Sequence, residues 1–431
     1  MKRTIFAVAL NHQSQIQAWN AAFHQSPYQA PPKTPVWFIK PRNTWRTSHQ
    51  TIALPEGEKT FSGATVGLVI GEKARRVTEA QAAQHIAGFV LANELSLAEE
   101  SFYRPAIQAK CRDGFCPTGE MAPLSDSHGL EIVTEVNGEE RQRWSTTELQ
   151  RGAEQLVAAL SDFATLMPGD IILMGTPQQR IAVEAGDEVV VRATGLPALV
   201  NRFVAEQTPQ PQPQPQEQGH PTFFALGLNY ADHASELDFK APESPLVFIK
   251  AANTLTGDNA VSVRPDNVDY MHYEAELVVV IGKTARNVSR EQALDYVAGY
   301  TLCNDYAVRD YLENYYRPNL RVKSRDTLTP LHPNVVPRDQ VPDAQSLTLK
   351  TFINGELRQS GTTRDMVFDV PFLVSWLSQF MTLQSGDMIA TGTPKGLADV
   401  RPGDEVVVEI EGVGRLTNRI VSEQQFEESL K

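Results

Sequence analysis

Residues 272–281 read HYEAELVVVI. Glu274 and Glu276 stand two apart at the head of an apolar, β-branched run of the kind that forms strands. Residues i and i+2 of a strand project from one face, so the two carboxylates face the same way. Left alone, each raises the pKa of the other and opposes folding. A divalent cation removes that conflict, and an oxygen-only ligand set favours Mg2+, Mn2+ or Ca2+ over zinc or copper. A third acid, Asp305, follows the strand-like GYTLCN. The same three acids could also lie on a solvated strand face and a surface turn, and spacing alone leaves both readings open.

Proton transfer needs a group that titrates near neutrality. His233 in NYADHASE has Glu236 three residues on. In a short helix the two share a face, and the carboxylate can orient the imidazole. Three carboxylates outweigh one divalent ion, so an anionic substrate needs added positive charge. Lys323 in VKSRD and Lys250 in FIKAANT are the candidates. Thr393 in TGTPKG offers a hydroxyl and backbone N–H groups at a Gly-rich turn, which suits a substrate carboxylate. Asn304, Tyr306 and Arg325 are further polar candidates for binding substrate.

The elements that must position these residues occur twice. YRPAIQAKCRD (103–113) matches YRPNLRVKSRD (316–326), and PGDIILMGTP (168–177) matches SGDMIATGTP (385–394). VWFIKPRNT, VIGEKARRV and AGDEVVVRATG also return in order as VFIKAANT, VIGKTARNV and PGDEVVVEIEG. Between the copies lies QTPQPQPQPQEQGH, whose alternating prolines favour an extended spacer. The expected division is a repeat over 1–206, a linker over 207–219 and a second repeat over 220–431. Two copies in one chain would reproduce a homodimer within a monomer. Each copy reads as β-rich α+β, with short strands bounded by Gly, Pro and Asp. Two helices are expected in the second copy. One runs over SREQALDYVAGY from an N-cap at Ser289 with Gln292 in the capping-box position, and the other over VFDVPFLVSWLSQFM with Pro371 in its first turn.

The copies are not equal. Aligned on VIG, Gly63 replaces Glu274, Thr65 replaces Glu276 and Glu94 replaces Asp305. Gln15 and Ala18 stand where His233 and Glu236 stand, and Leu95 replaces Tyr306. The first copy keeps the counterparts of the other candidates: Lys40 for Lys250, Lys110 for Lys323, Asn93 for Asn304, Arg112 for Arg325 and Thr176 for Thr393. The pattern reads as a site kept in the second copy and dismantled in the first.

The chain has 431 residues, is 41% hydrophobic and carries a net charge of −13. That acidity argues against nucleic acid or an anionic membrane surface as partner, and no apolar run is long enough to span a bilayer. MKRTIFAVAL imitates a signal peptide, but its short apolar tail and lack of a cleavage site favour a first strand. Cys111, Cys116 and Cys303 are odd in number and scattered, as expected of free thiols in the reducing cytoplasm.

Taken in order, GLNYADHASE, VFIKAANT, YEAELVVVIG, GYTLCNDYAVRD, KSRDT and TGTPKG resemble the fumarylacetoacetate hydrolase family. The resemblance covers 220–431, with a degenerate version over 1–206. It implies a mixed β-sandwich roll and a Mg2+-type ion held by Glu274, Glu276 and Asp305, with Lys323 close by. The implied substrate is a 2-oxo dicarboxylic or tricarboxylic acid that chelates the ion. The fused arrangement is similar to members that decarboxylate 5-carboxymethyl-2-oxohex-3-ene-1,7-dioate and isomerise 2-hydroxyhepta-2,4-diene-1,7-dioate. Both reactions pass through a dienolate whose charge a bound cation stabilises. An acylpyruvate hydrolase or a 2-oxo-alkenoate hydratase on the same scaffold is the alternative within enzymes. A divalent-ion-binding protein without turnover is the alternative outside them.

Overall fold

The computed structural model describes residues 3–123, 127–206, 219–231 and 242–429. The chain forms two compact units. The first comprises Met1–His220 with Glu313–Asn319 and Phe380–Thr382; the second comprises Pro221–Leu312, Leu320–Gln379 and Leu383–Lys431. Both are β-rich and have few helices.

In the second unit a six-stranded mixed sheet runs Leu246–Lys250, Phe223–Gly227, Met388–Ala390, Ala275–Ile281, Val297–Asn304 and Val336–Pro337. Phe223–Gly227 is parallel to Met388–Ala390, and its other neighbour is antiparallel. A five-stranded sheet runs Val261–Arg264, Gly414–Ser422, Glu405–Ile410, Thr348–Ile353 and Glu356–Thr362. Thr348–Ile353 alternates half-buried and buried positions, as a strand with one covered face should. Phe223, Phe248, Val278 and Ala390 pack in one core cluster; Met271, Tyr273, Val400 and Ile420 pack in another.

The first unit repeats this plan. Val36–Lys40, Ile5–Ala9, Ile171–Leu173, Ala64–Ile70 and Ile86–Asn93 lie side by side in the same order as their counterparts. Ala64 pairs with Asn93 as Ala275 pairs with Asn304. The register therefore puts Gly63, Thr65 and Glu94 at the places of Glu274, Glu276 and Asp305. Ile5–Ala9 is a fully buried strand, as the opening residues suggested.

Helix Val370–Phe380 forms with Pro371 in its first turn, and the Asp369 carboxylate accepts the Phe372 N–H at 2.9 Å. Val370, Leu373, Val374, Leu377 and Phe380 are its buried apolar residues, at helical spacing. The helix expected over 289–300 is instead a 3-10 turn, Ala293–Tyr296. Its later residues join strand Val297–Asn304, where Val297 and Tyr300 are buried. A sheet position that buries both outweighed the local capping signal.

Candidate metal centre

Strand Ala275–Ile281 begins one residue after Glu274, and strand Val297–Asn304 ends one residue before Asp305. Glu276 pairs across with Cys303, so the end of each strand brings its acids together. The Asp305 N–H donates to the Glu274 carbonyl at 2.9 Å, and Asn304 Oδ1 accepts the Glu274 N–H at 2.9 Å. Glu274 is 6% exposed, and Glu276 and Asp305 are fully buried. One oxygen from each lies within 4.8 Å of the others, and among the described residues these are the acids grouped closely enough to hold a metal ion.

Buried cations offset part of this charge. Lys323 Nζ lies 2.7 Å from Glu274 Oε2 and 3.0 Å from Asp305 Oδ2, and also donates to the Asp305 carbonyl at 3.0 Å. Lys250 Nζ pairs with Asp305 Oδ1. Burial alone would push both ammoniums down, and Lys250 does lie below its usual range. Lys323 lies above it, because Asp305, Glu274 and Glu276 together outweigh burial.

Glu276 is left short of partners. Its Oε2 accepts the Gly392 N–H at 2.9 Å, while Oε1 is buried with no hydrogen-bond partner among the described residues. Burial first, then Asp305 and Glu274, push its carboxyl well above the usual range. An orphaned carboxylate oxygen beside two further acids is what a hard divalent cation satisfies, so the residues fit the ion that the spacing suggests.

The loop that carries Gly392 is held in place. Gly392 has φ +88°, and a Cβ there would stand 3.0 Å from Asn229 Cβ. Asn229 Nδ2 donates to the Thr391 carbonyl at 2.8 Å. The Thr393 hydroxyl, one residue beyond Gly392, accepts from Gln359 Nε2 at 3.0 Å.

The remaining candidates separate. Asn304 serves the backbone of Glu274. Asn93 does the same for Gly63, at 3.0 Å, which accounts for its retention in both copies. Tyr306 and Arg325 are each engaged with other side chains. The Tyr306 ring packs with Met271, Tyr273 and Val400, and its hydroxyl donates to Asn418 Oδ1 at 3.0 Å. Arg325 Nη2 turns to Glu423 Oε1 at 3.6 Å, with its guanidinium over the Tyr311 ring. His233 and Glu236 lie outside the described residues.

Two neighbours were missed. His272 Nδ1 is 3.6 Å from Glu274 Oε1, and Arg309 Nη2 is 3.9 Å from the same oxygen. Arg309 Nε donates to His272 Nε2 at 2.8 Å, which assigns the imidazole proton to Nδ1, and Nδ1 donates it to the Tyr273 carbonyl at 3.2 Å. His272 continues the i, i+2 series of Glu274 and Glu276 one step back. Phe61 and Ala98 stand at these places in the first copy, so the internal comparison carried the signal.

In the first unit Glu94 is surrounded by cations. Lys40 Nζ is 3.1 Å from Oε1; Lys110 Nζ and Arg180 Nη2 are 3.1 and 2.6 Å from Oε2. Burial would raise its pKa, but Arg180, Lys110 and Lys40 hold it well below the carboxylate range. A Cβ on Gly63 would meet the Arg180 guanidinium carbon at 3.3 Å, so an arginine crowds the place of the Glu274 side chain.

The sequence profile for the fumarylacetoacetate (FAA) hydrolase C-terminal domain matches residues 4–204 and again 222–421. A 4-hydroxyphenylacetate degradation bifunctional isomerase/decarboxylase of Escherichia coli is 66% identical over 426 residues, covering 98% of this chain and 99% of that one. Its namesake in Salmonella dublin is 65% identical over the same lengths. Among solved structures, a fumarylpyruvate hydrolase from Pseudomonas aeruginosa in complex with Mn2+ and pyruvate is 32% identical, with a TM-score of 0.45 over 47% of this chain and 90% of that one.

Proposed function

The chain belongs to the fumarylacetoacetate hydrolase family, and from that premise we propose that it serves 4-hydroxyphenylacetate degradation with two activities. It decarboxylates 5-carboxymethyl-2-oxohex-3-ene-1,7-dioate and isomerises 2-hydroxyhepta-2,4-diene-1,7-dioate. The observation that carries this reading is identity at 66% across both repeats and 99% of a relative named for both activities. In the first reaction a carbon–carbon bond to a carboxylate breaks, CO2 leaves, and the electron pair enters the conjugated system. In the second, the proton of the 2-hydroxyl is lost and another is gained at C5.

Glu274, Glu276 and Asp305 would hold Mg2+, for which Mn2+ or Ca2+ can substitute. The bound ion supplies Lewis-acid stabilisation of negative charge on a substrate oxygen. Lys250 and Lys323 pair directly with the Asp305 carboxylate. Lys323 and the partly exposed Arg309 add the positive charge that an acid with several carboxylates needs. Arg309 holds His272 by a hydrogen bond, and both lie beside the Glu274 carboxylate. Thr393 offers its hydroxyl to a substrate carboxylate, and His233 with Glu236 moves the proton.

The first repeat, without the acid pair, contributes no turnover and acts as the fused counterpart of the second, with 207–219 as linker. We place the reaction in the cytoplasm and the chain as a monomer. No helix among the described residues is long and apolar enough to cross a membrane.

The test is CO2 release from 5-carboxymethyl-2-oxohex-3-ene-1,7-dioate with Mg2+, with EDTA and with Glu276→Ala. Release that needs both the ion and Glu276 is expected. Mg2+ binding without CO2 would sink the decarboxylase reading and leave a hydrolase or hydratase in its place.

A further inference from the structure

The first unit carries a buried charge imbalance at the place of the lost site. Lys40, Lys110 and Arg180 face Glu94 and Glu99: Lys110 Nζ is 3.2 Å from Glu99 Oε2. Tyr316 donates its hydroxyl to Glu99, and burial and Glu99 push that phenol up, so it adds no negative charge. Three cations thus meet two carboxylates, all with side chains at most 13% exposed. An uncompensated buried charge is costly and attracts a counterion.

The backbone beside it lacks its partner as well. In the second unit the Gly392 N–H is taken by the Glu276 carboxylate. The equivalent glycine is Gly175, whose φ is +111°. Thr65 at the Glu276 position is too short to reach across in the same way, and its hydroxyl donates to the Gly175 carbonyl at 2.6 Å. Among the described residues no acceptor takes the Gly175 N–H. Thr65, Glu94, Lys110, Gly175, Thr176 and Arg180 line one cleft, with room for a particle about the size of a water molecule.

We propose that this cleft binds a small monoanion, chloride or formate, between the Gly175 N–H and the Arg180 and Lys110 cations, whose long side chains draw back to widen the water-sized space. The anion takes the place that the Glu276 carboxylate holds in the second unit. The first repeat thus exchanged a site whose acids gather a cation for one whose bases gather an anion.

The test is thermal unfolding of the full-length, Mg2+-loaded protein in sodium formate, chloride or gluconate at matched ionic strength. A saturable rise of several degrees is expected in formate, chloride or both, with none in the bulky gluconate. Formate alone would identify a carboxylate site, chloride alone a halide site. Thr65→Glu places a tethered carboxylate at the Gly175 N–H and should abolish the response. Arg180→Gln should raise the half-saturating concentration at least tenfold, and it serves if the glutamate variant does not fold. No rise with either small anion, or a full response in the variant that folds, would overturn the proposal.

Discussion

Replacing Glu276 with Gln keeps the side-chain shape and removes one of three buried carboxylates. Without metal, the change deletes a carboxyl that burial, Asp305 and Glu274 all disfavour in its charged form. The glutamine oxygen can still accept the Gly392 N–H, so the EDTA-treated variant should be at least as stable as the parent. With Mg2+ the sign reverses. Stripping one partner from a buried charge interaction costs about 3–5 kcal/mol, or roughly 10²- to 10⁴-fold in Kd. At a Mg2+ concentration of about 100 times the parent's Kd, binding adds about 2.7 kcal/mol to its stability. For a unit of this size that is about 5–11 °C in Tm. The variant, at or below its own Kd, gains at most about 0.4 kcal/mol, under roughly 2 °C. Thermal unfolding with EDTA and with Mg2+, together with calorimetric titration, reads both arms. An unchanged Kd, or an EDTA form destabilised by several degrees, would refute the assignment of Glu276 as a ligand whose charge only a cation relieves.

Tyr306→Phe should cost about 1 kcal/mol of stability through the lost bond to Asn418 and leave kcat unchanged; a large fall in kcat would put the phenol back at the substrate. Gly392→Ala should cost roughly 1–3 kcal/mol, since alanine is strained at positive φ and its Cβ meets Asn229, and should also weaken Mg2+ binding by moving the N–H that holds Glu276. Glu94→Gln should destabilise the first unit by about 3–5 kcal/mol at pH 7. Because the folded pKa of Glu94 is depressed, its contribution is full above the unfolded value of about 4.3 and lost as pH falls through the folded value. Denaturation of parent and variant between pH 7 and pH 3 should therefore show a gap that stays level to about pH 4.5 and narrows only below it.

The clustering of the acids was legible in the sequence because strand periodicity is rigid: 274 and 276 share a face. Asp305 was legible for a related reason, as it ends the neighbouring strand. Arg309 was not, since it opens a 3-10 turn whose direction no period fixes. The surroundings of Tyr306 were not legible, because a difference between the copies marks any changed environment, and here the environment is a packed core with Asn418 in it. The capping pattern at Ser289 misled because it reports only local preference, while the register of Val297–Asn304 is set by the sheet beside it.

The lysines around Glu94 bear on how a duplicated site decays. Losing Glu94 alone would strip Lys40 and Arg180 of the acid they pair with and leave Lys110 only Glu99. Glu276 carries no such interlock, since among the described residues it pairs with no cation and removing it without an ion relieves repulsion from Asp305 and Glu274. The Glu276 position is thus the one that mutation empties at least cost, while the Glu94 position and its cations stand or fall together. Retention of Lys40 and Lys110 therefore follows from their pairing with Glu94 and needs no catalysis to explain it.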